Sequence, residues 1–172
     1  MAGMSVERAH GSAAERAALA QLIQFYVYDF VEFLAPERRV HLQDDGRFPA
    51  LPHVDDYWTE ADRSVWFLRV EGVLCGFALL NRLSHCGLPV DFNVGEYFVA
   101  RPYRRTGIGT RAIVQLLTEH PGVWEISISA RNLPAQAFWP RAITGASITG
   151  LQTLQGDGVQ WTGPILRFSV PA

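Results

Sequence analysis

The chain has 172 residues, of which 48% are hydrophobic, 12% aromatic and 19% charged, with a formal net charge of -2. That is enough apolar material for one full core and argues against two independent domains, so one domain is expected over residues 1–172. The same balance excludes a disordered chain, and the missing basic excess weighs against a nucleic-acid binder that works by neutralising phosphates.

Ser12 followed by Glu15 has the spacing of a capping box, and Leu19, Leu22, Ile23, Tyr26, Val27 and Phe30 recur behind it at helical intervals. A first amphipathic helix is predicted from about Ser12 to Leu34, ending before Pro36. The stretch from His41 to Asp62 is rich in proline and acids and has no long period, which predicts an irregular segment with one short helix. Val65 to Val70 and Val73 to Leu80 are β-rich runs split by Glu71-Gly72, the break of an antiparallel hairpin. A strand from Asn93 to Val99 follows, then a glycine loop, then a helix with Ile113, Leu116, Leu117 and His120 on one face that Pro121-Gly122 ends. Val123 to Ser129 is the next strand, with Trp124, Ile126 and Ile128 on one face, at a distance that suits a helical crossover to a parallel neighbour. Asn132 and Pro134 open a further helix carrying Phe138, Trp139 and Ile143, and two last β runs, Ala146 to Leu154 and Val159 to Val170, are expected to pair across Gly156-Asp157-Gly158.

All 15 basic residues are Arg, which composition bias explains. Cys75 and Cys86 are too few for a disulfide framework, and with no metal-ligand spacing they fit a reducing cytoplasm. No run reaches the roughly 18 apolar residues of a membrane helix, so no membrane association is expected. His10, His41, His53, His85 and His120 are scattered, which argues against a metal site.

The loop Arg104-Arg105-Thr106-Gly107-Ile108-Gly109 puts two glycines at a helix entrance, where unpaired amides and the helix dipole can hold an anion. It is neither a Walker A loop nor a complete dinucleotide fingerprint, so ATP and NAD are poor candidates. Arg101, Arg104, Arg105 and Arg111 surround it. On spacing alone, a pyrophosphate site and an ordinary turn edged by surface arginines fit equally well.

The loop resembles motif A of the GNAT superfamily of N-acetyltransferases, Arg/Gln-x-x-Gly-x-Gly/Ala between a strand and a helix, here Arg104-x-x-Gly107-x-Gly109. Tyr97 to Arg105 resembles the strand and turn before that motif, Asn132, Ala135 and Phe138 resemble motif B, and the element order agrees from Ser12 to Val170. The resemblance implies a single α/β domain with a mixed central sheet of about six to seven strands flanked by helices. It implies acetyl-CoA, or another acyl-CoA, lying between the strands that end near Ala100 and Ala130. The amides from Arg105 through Thr106, Gly107, Ile108 and Gly109 to Thr110 would then hold the pyrophosphate with Arg104 nearby, Val99 would pair with the pantetheine arm, and Asn132 and Phe138 would flank it. In many members a Tyr on the motif B helix is placed to protonate the departing thiolate, and Trp139 stands there instead, which leaves the acid unassigned. Tyr97 and Tyr103 are the other phenols near the motif.

An ammonium must lose a proton before it can attack a thioester, and Glu96 is the candidate base. Strict alternation would put it between Val94 and Phe98 on one face, where desolvation raises a carboxyl's pKa; the bland alternative is a rim carboxylate paired with an Arg. Members of the superfamily often have a Glu eight residues before the motif A Arg, as here. Tyr26, Asp29, Tyr57 and Trp58 are the candidate substrate contacts, with solvation as the alternative for Asp29 and core packing for Trp58. The expected activity is transfer of acetyl to an amine by direct attack in a ternary complex, the rivals being a non-catalytic acyl-CoA-binding module and an acetyltransferase of protein amines. Six acids against Arg47 alone between His41 and Asp62 suggest a polycationic small-molecule acceptor or a solvated loop. The sequence leaves the acceptor and the oligomeric state, a homodimer included, open.

Overall fold

The computed structural model describes residues 3–172. Seven strands form one mixed sheet: β1 (Met4–Arg8), β2 (Ser64–Val70), β3 (Val73–Asn81), β4 (Phe92–Val99), β5 (Gly122–Ser127), β6 (Thr149–Gln155) and β7 (Pro164–Val170), in the order β1-β2-β3-β4-β5-β7-β6. The α-helices among the described residues are α1 (Ala13–Phe30), α2 (Ile108–Glu119) and α3 (Leu133–Ile143). β4 and β5 are the parallel neighbours, joined through α2 as the crossover spacing predicts, and every other pairing is antiparallel. The sheet and its helices are therefore of the expected class.

Local chemistry accounts for most of the boundaries. At the start of α1 the Glu15 amide donates to Ser12 Oγ at 3.3 Å and the Ser12 amide donates to Glu15 Oε2 at 2.8 Å, the reciprocal capping box. The helix ends at Phe30 and a single 3-10 turn, Val31–Phe33, carries the chain on toward Pro36. Asp55–Trp58 is the short helical turn in the irregular segment. Glu71 and Gly72 both have positive φ, +50° and +79°, the pairing that a tight two-residue hairpin needs. The C-terminal connection runs from residue 156 to 163, longer than the three residues expected, because Asp157 Oδ1 accepts from the amides of Val159, Gln160 and Trp161 and winds an extra turn.

β1 is the element that the sequence reading did not assign. Its five residues alternate too briefly to register as a strand, and pairing with β2, Val6 opposite Leu68, makes it one. Two apolar layers sandwich the sheet. On one face α2 and α3 bury Ile113, Leu116, Leu117, Trp139 and Ile143 against Trp124, Ile126 and Phe168. On the other, α1 buries Leu19, Leu22, Ile23 and Val27 against Phe67, Phe77, Leu79 and Phe98.

Candidate active site

β4 and β5 pair only at Phe92 with Trp124 and Asn93 with Glu125, after which the two strands separate. The separation opens a cleft along the β5 edge of β4. Ala100 donates its amide to the Cys75 carbonyl at 2.8 Å, and antiparallel ladders alternate, so the backbone groups of Val99 point to the cleft edge. There the Val99 carbonyl already accepts from Arg104 Nε at 2.6 Å.

The glycine loop closes one end of this cleft. Gly107 is the N-cap of α2, with φ +82°, and no side chain caps the helix. By contrast Ser12 caps α1, and Asn132 Oδ1 caps α3 by accepting from the Ala135 amide at 3.1 Å. The first amides of α2 are thus left for an outside acceptor, the electrostatic setting for an anion. A Cβ at Gly109 would meet Phe138 and Val99 at an ordinary 3.5 Å, so the helix entrance lies against the two residues expected beside the pantetheine arm.

The arginines around the loop are not all available. Arg101 Nη2 donates to Asp29 Oδ1 at 2.7 Å, and Arg104 Nη2 donates to Asp29 Oδ2. Burial pushes the Asp29 carboxyl up, but the bonds and charges of Arg104 and Arg101 outweigh it and hold the pKa low. Asp29 is therefore engaged in tying α1 to the loop. Arg105 and Arg111 form no ion pair among the described residues. The Thr106 hydroxyl is spent on the Tyr103 carbonyl at 2.6 Å and the Ile108 side chain is buried, so both can offer only backbone. Asn132 likewise has its side-chain oxygen committed to the cap.

Glu96 lies on the α1 face of β4. Its neighbours there differ from the sequence expectation: Glu96 pairs with Leu79 while Val94 pairs with Leu80, so Gly95 is an extra residue in a β-bulge. The bulge breaks the alternation and turns Val94 to the opposite face, among the residues packed by α2 and α3. Phe98 remains on the Glu96 side. A side chain at residue 95 would not fit, because its Cβ would stand 2.5 Å from the Tyr57 hydroxyl.

The Tyr26 hydroxyl donates to Glu96 Oε2. Burial pushes the Glu96 carboxyl up to about 7, and the Tyr26 bond and the charge of His85 pull the other way without winning. A group that titrates there can accept a proton near neutrality. The phenol of Tyr26, desolvated beside this carboxylate, is held well above its ordinary range.

Arg63 lies over the Tyr57 ring at 5.2 Å and Arg16 over the Trp58 ring at 5.1 Å, so one face of each ring already carries a guanidinium of the chain. Arg63 also pairs with Glu60 at 2.6 Å, which offsets part of the acidic excess of this segment. The Tyr57 hydroxyl still reaches the site, accepting from Asn81 Nδ2 at 2.6 Å beside Gly95. Trp139 is buried core against Tyr97, at 5.1 Å between ring centroids, and the Tyr97 hydroxyl donates to the Gly109 carbonyl at 2.6 Å. Burial drives the Tyr97 pKa far upward, which removes it as an acid.

Sequence reasoning missed Ser84, His85, Glu125 and Ser127, which the fold gathers on the same face. The available signal was a lone Glu inside the apolar alternation Trp124-Glu125-Ile126.

The profile of the acetyltransferase (GNAT) family matches residues 27–143. The chain belongs to the GNAT family. Its fold is shared by solved structures at low identity. An acetyltransferase from Thermus thermophilus is 11% identical, with a TM-score of 0.62 over 100% of each chain. A GNAT-family acetyltransferase from Staphylococcus aureus is 13% identical, with a TM-score of 0.59 over 96% of this chain and 99% of that one. The microcin C7 self-immunity acetyltransferase MccE, solved with acetyl-CoA and AMP, is 15% identical, with a TM-score of 0.59 over 97% and 92%. No curated protein matches the sequence significantly.

Proposed function

We propose that this GNAT protein is an acetyl-CoA-dependent N-acetyltransferase in which an amine attacks directly within a ternary complex. The observation that carries the reading is the cleft between β4 and β5, with the uncapped entrance of α2 at its end and a carboxyl titrating near 7 on its α1 face. The residues suit the group: the amides from Arg105 to Thr110, behind the positive φ of Gly107, would receive the pyrophosphate, with Arg105 as the adjacent cation. The edge of β4 at Val99 would pair with the pantetheine arm, and Phe138 would pack along it. Bound acetyl-CoA would supply the acetyl group as an activated thioester.

Glu96, as the carboxylate, would take the proton of the acceptor ammonium, directly or through one water, and Tyr26 would hold that carboxylate in position. An amide on the cleft edge of β4 would face the carbonyl oxygen where charge develops. No acid is assigned at the leaving thiol, since Trp139 is core and Tyr97 is engaged. A thiol with a pKa of about 8.5 leaves tolerably without a dedicated acid. The same absence is the observation that favours a non-catalytic acyl-CoA-binding module as the second reading.

Release of free thiol from acetyl-CoA, screened against amino acids, monoamines, polyamines, aminoglycosides and peptides, tests the reading and separates small-molecule from protein amines. Release with any of these classes supports catalysis; binding of CoA with no release by any class supports the module. Gly107→Val should abolish CoA binding in calorimetry, because a β-branched residue resists a φ of +82° and would displace the amides. Unchanged affinity in that variant would put the cofactor elsewhere.

A further inference from the structure

Two contacts fasten the end of α1 to β4. Tyr26 donates to Glu96, and one turn further along the helix Asp29 accepts from Arg104, whose Nε also donates to the Val99 carbonyl at 2.6 Å. Tyr26 and Asp29 stand three positions apart on α1, so they share a face of the helix. A second route joins the same groups: the Arg104 guanidinium lies 5.4 Å from the centre of the Phe98 ring, and that ring meets Tyr26 edge-on at 6.3 Å.

The placement of Asp29 goes against local helix chemistry. It falls in the last turn of α1, at the negative end of the helix dipole, and no basic residue stands in that turn. The compensation comes from far along the chain. Arg101 donates to Asp29 Oδ1 through Nε at 3.0 Å and Nη2 at 2.7 Å, while Arg104 takes Oδ2, so both oxygens are used. The two arginines differ in what they join. Arg101, with a side chain 68% exposed, bonds through that side chain to Asp29 alone among the described residues, whereas Arg104 links Asp29 to the edge of β4. A residue that breaks a local rule and is compensated only by tertiary contacts points to a role beyond the helix itself.

We propose that Asp29 is a positioning residue which, through Arg104, ties the setting of Tyr26 on Glu96 to occupancy of the Val99 edge by the cofactor arm. The inference rests on the reading of that edge as the pantetheine site and of Glu96 as the base. Its physical reason is that one carbonyl serves two donors. The Val99 carbonyl, which would accept from a pantetheine N–H, already accepts from Arg104 Nε, so the guanidinium must yield or share when the arm pairs with β4. The guanidinium is a planar fork, and a turn at Nε is also a turn at Nη2, where Asp29 is held. An occupied edge and an empty one therefore offer α1 different contacts, which is what a linkage between two sites requires.

CoA alone, with no acceptor, tests the linkage. In protein labelled with 13C at the tyrosine ζ carbons, with Tyr26→Phe assigning the signal, CoA should shift the Tyr26 resonance with the same midpoint as binding measured by calorimetry. In CoA-saturated Asp29→Asn, and in Arg104→Met from the other side, that shift should be lost. Arg101→Met leaves the Arg104 route whole and should retain it. Where an amine is acetylated, Asp29→Asn should lower kcat, and should lower it no further in a Tyr26→Phe background. CoA bound with Tyr26 unmoved, or an undiminished shift in folded Asp29→Asn, overturns this proposal alone. No CoA binding by the wild-type protein overturns it together with the functional reading. The expected shifts in a protein that acetylates no amine would sink the catalytic reading and leave the linkage standing.

Discussion

Glu96 and Glu125 stand on one face of neighbouring strands, and their surroundings drive them in opposite directions. Glu96 has one donor, Tyr26, so burial prevails and its carboxyl rises to about 7. Burial opposes ionisation at Glu125 as well, but there the donors from His85, Ser84 and Cys86 outweigh it and the pKa falls to about 2. The number of donors aimed at the oxygens decides the outcome, because each bond to the charged form replaces lost hydration. A carboxylate that is fully bonded holds loops in place. One that is kept short of donors remains available for a proton.

Removing each carboxyl should separate the two roles. Glu125→Gln should cost about 3 kcal/mol or more in urea unfolding, since it leaves Arg167 and the connection between β3 and β4 without their counter-charge. Glu96→Gln should leave the fold intact and slow acetyl transfer by about 10²-fold, equivalent to about 2.7 kcal/mol of barrier. The deficit should shrink at high pH, where the acceptor amine is already free. Wild-type rates in Glu96→Gln at neutral pH would remove it from the mechanism.

The same pair predicts two slopes of stability against pH. The raised Glu96 pKa contributes stability that is complete below about 4.5, its unfolded value, and is lost as pH climbs through about 7. The lowered Glu125 pKa contributes stability that is complete above about 4.5 and is lost as pH falls toward about 2. Urea midpoints measured across pH should therefore decline on both sides, and Glu96→Gln should abolish only the upper decline. A variant that keeps the upper decline would assign it to another group. The smallest expected effect is that of Tyr26→Phe. Loss of its bond should move the acid limb of kcat/KM upward by less than about one pH unit, the worth of a hydrogen bond of about 1 kcal/mol.

Features that depend on neighbours in the chain were legible without coordinates. The box from Ser12 to Glu15, the turn at Glu71-Gly72, the Asn132 cap and the glycine entrance to α2 each rest on residues a few positions apart. Capping and turn chemistry are local, so their residue types and spacing already specify the geometry. The parallel neighbour of β4 followed from chain length between two strands, since a crossover through a helix needs that span.

Tertiary structure decided what depends on partners far away in sequence. The bulge at Gly95 arises from register against β3, and a one-residue slip exchanges faces, so Val94 could not be placed by counting. Asp29 meets Arg101 and Arg104 more than seventy residues on, and Trp58 receives Arg16 from α1, pairings that no local pattern encodes. β1 became a strand only by lying beside β2. Glu125 and His85, forty residues apart, acquire their relation from the order of β3, β4 and β5 in the sheet. In each case the deciding energy is strand pairing, desolvation or charge pairing between distant segments, set by what surrounds a group in space.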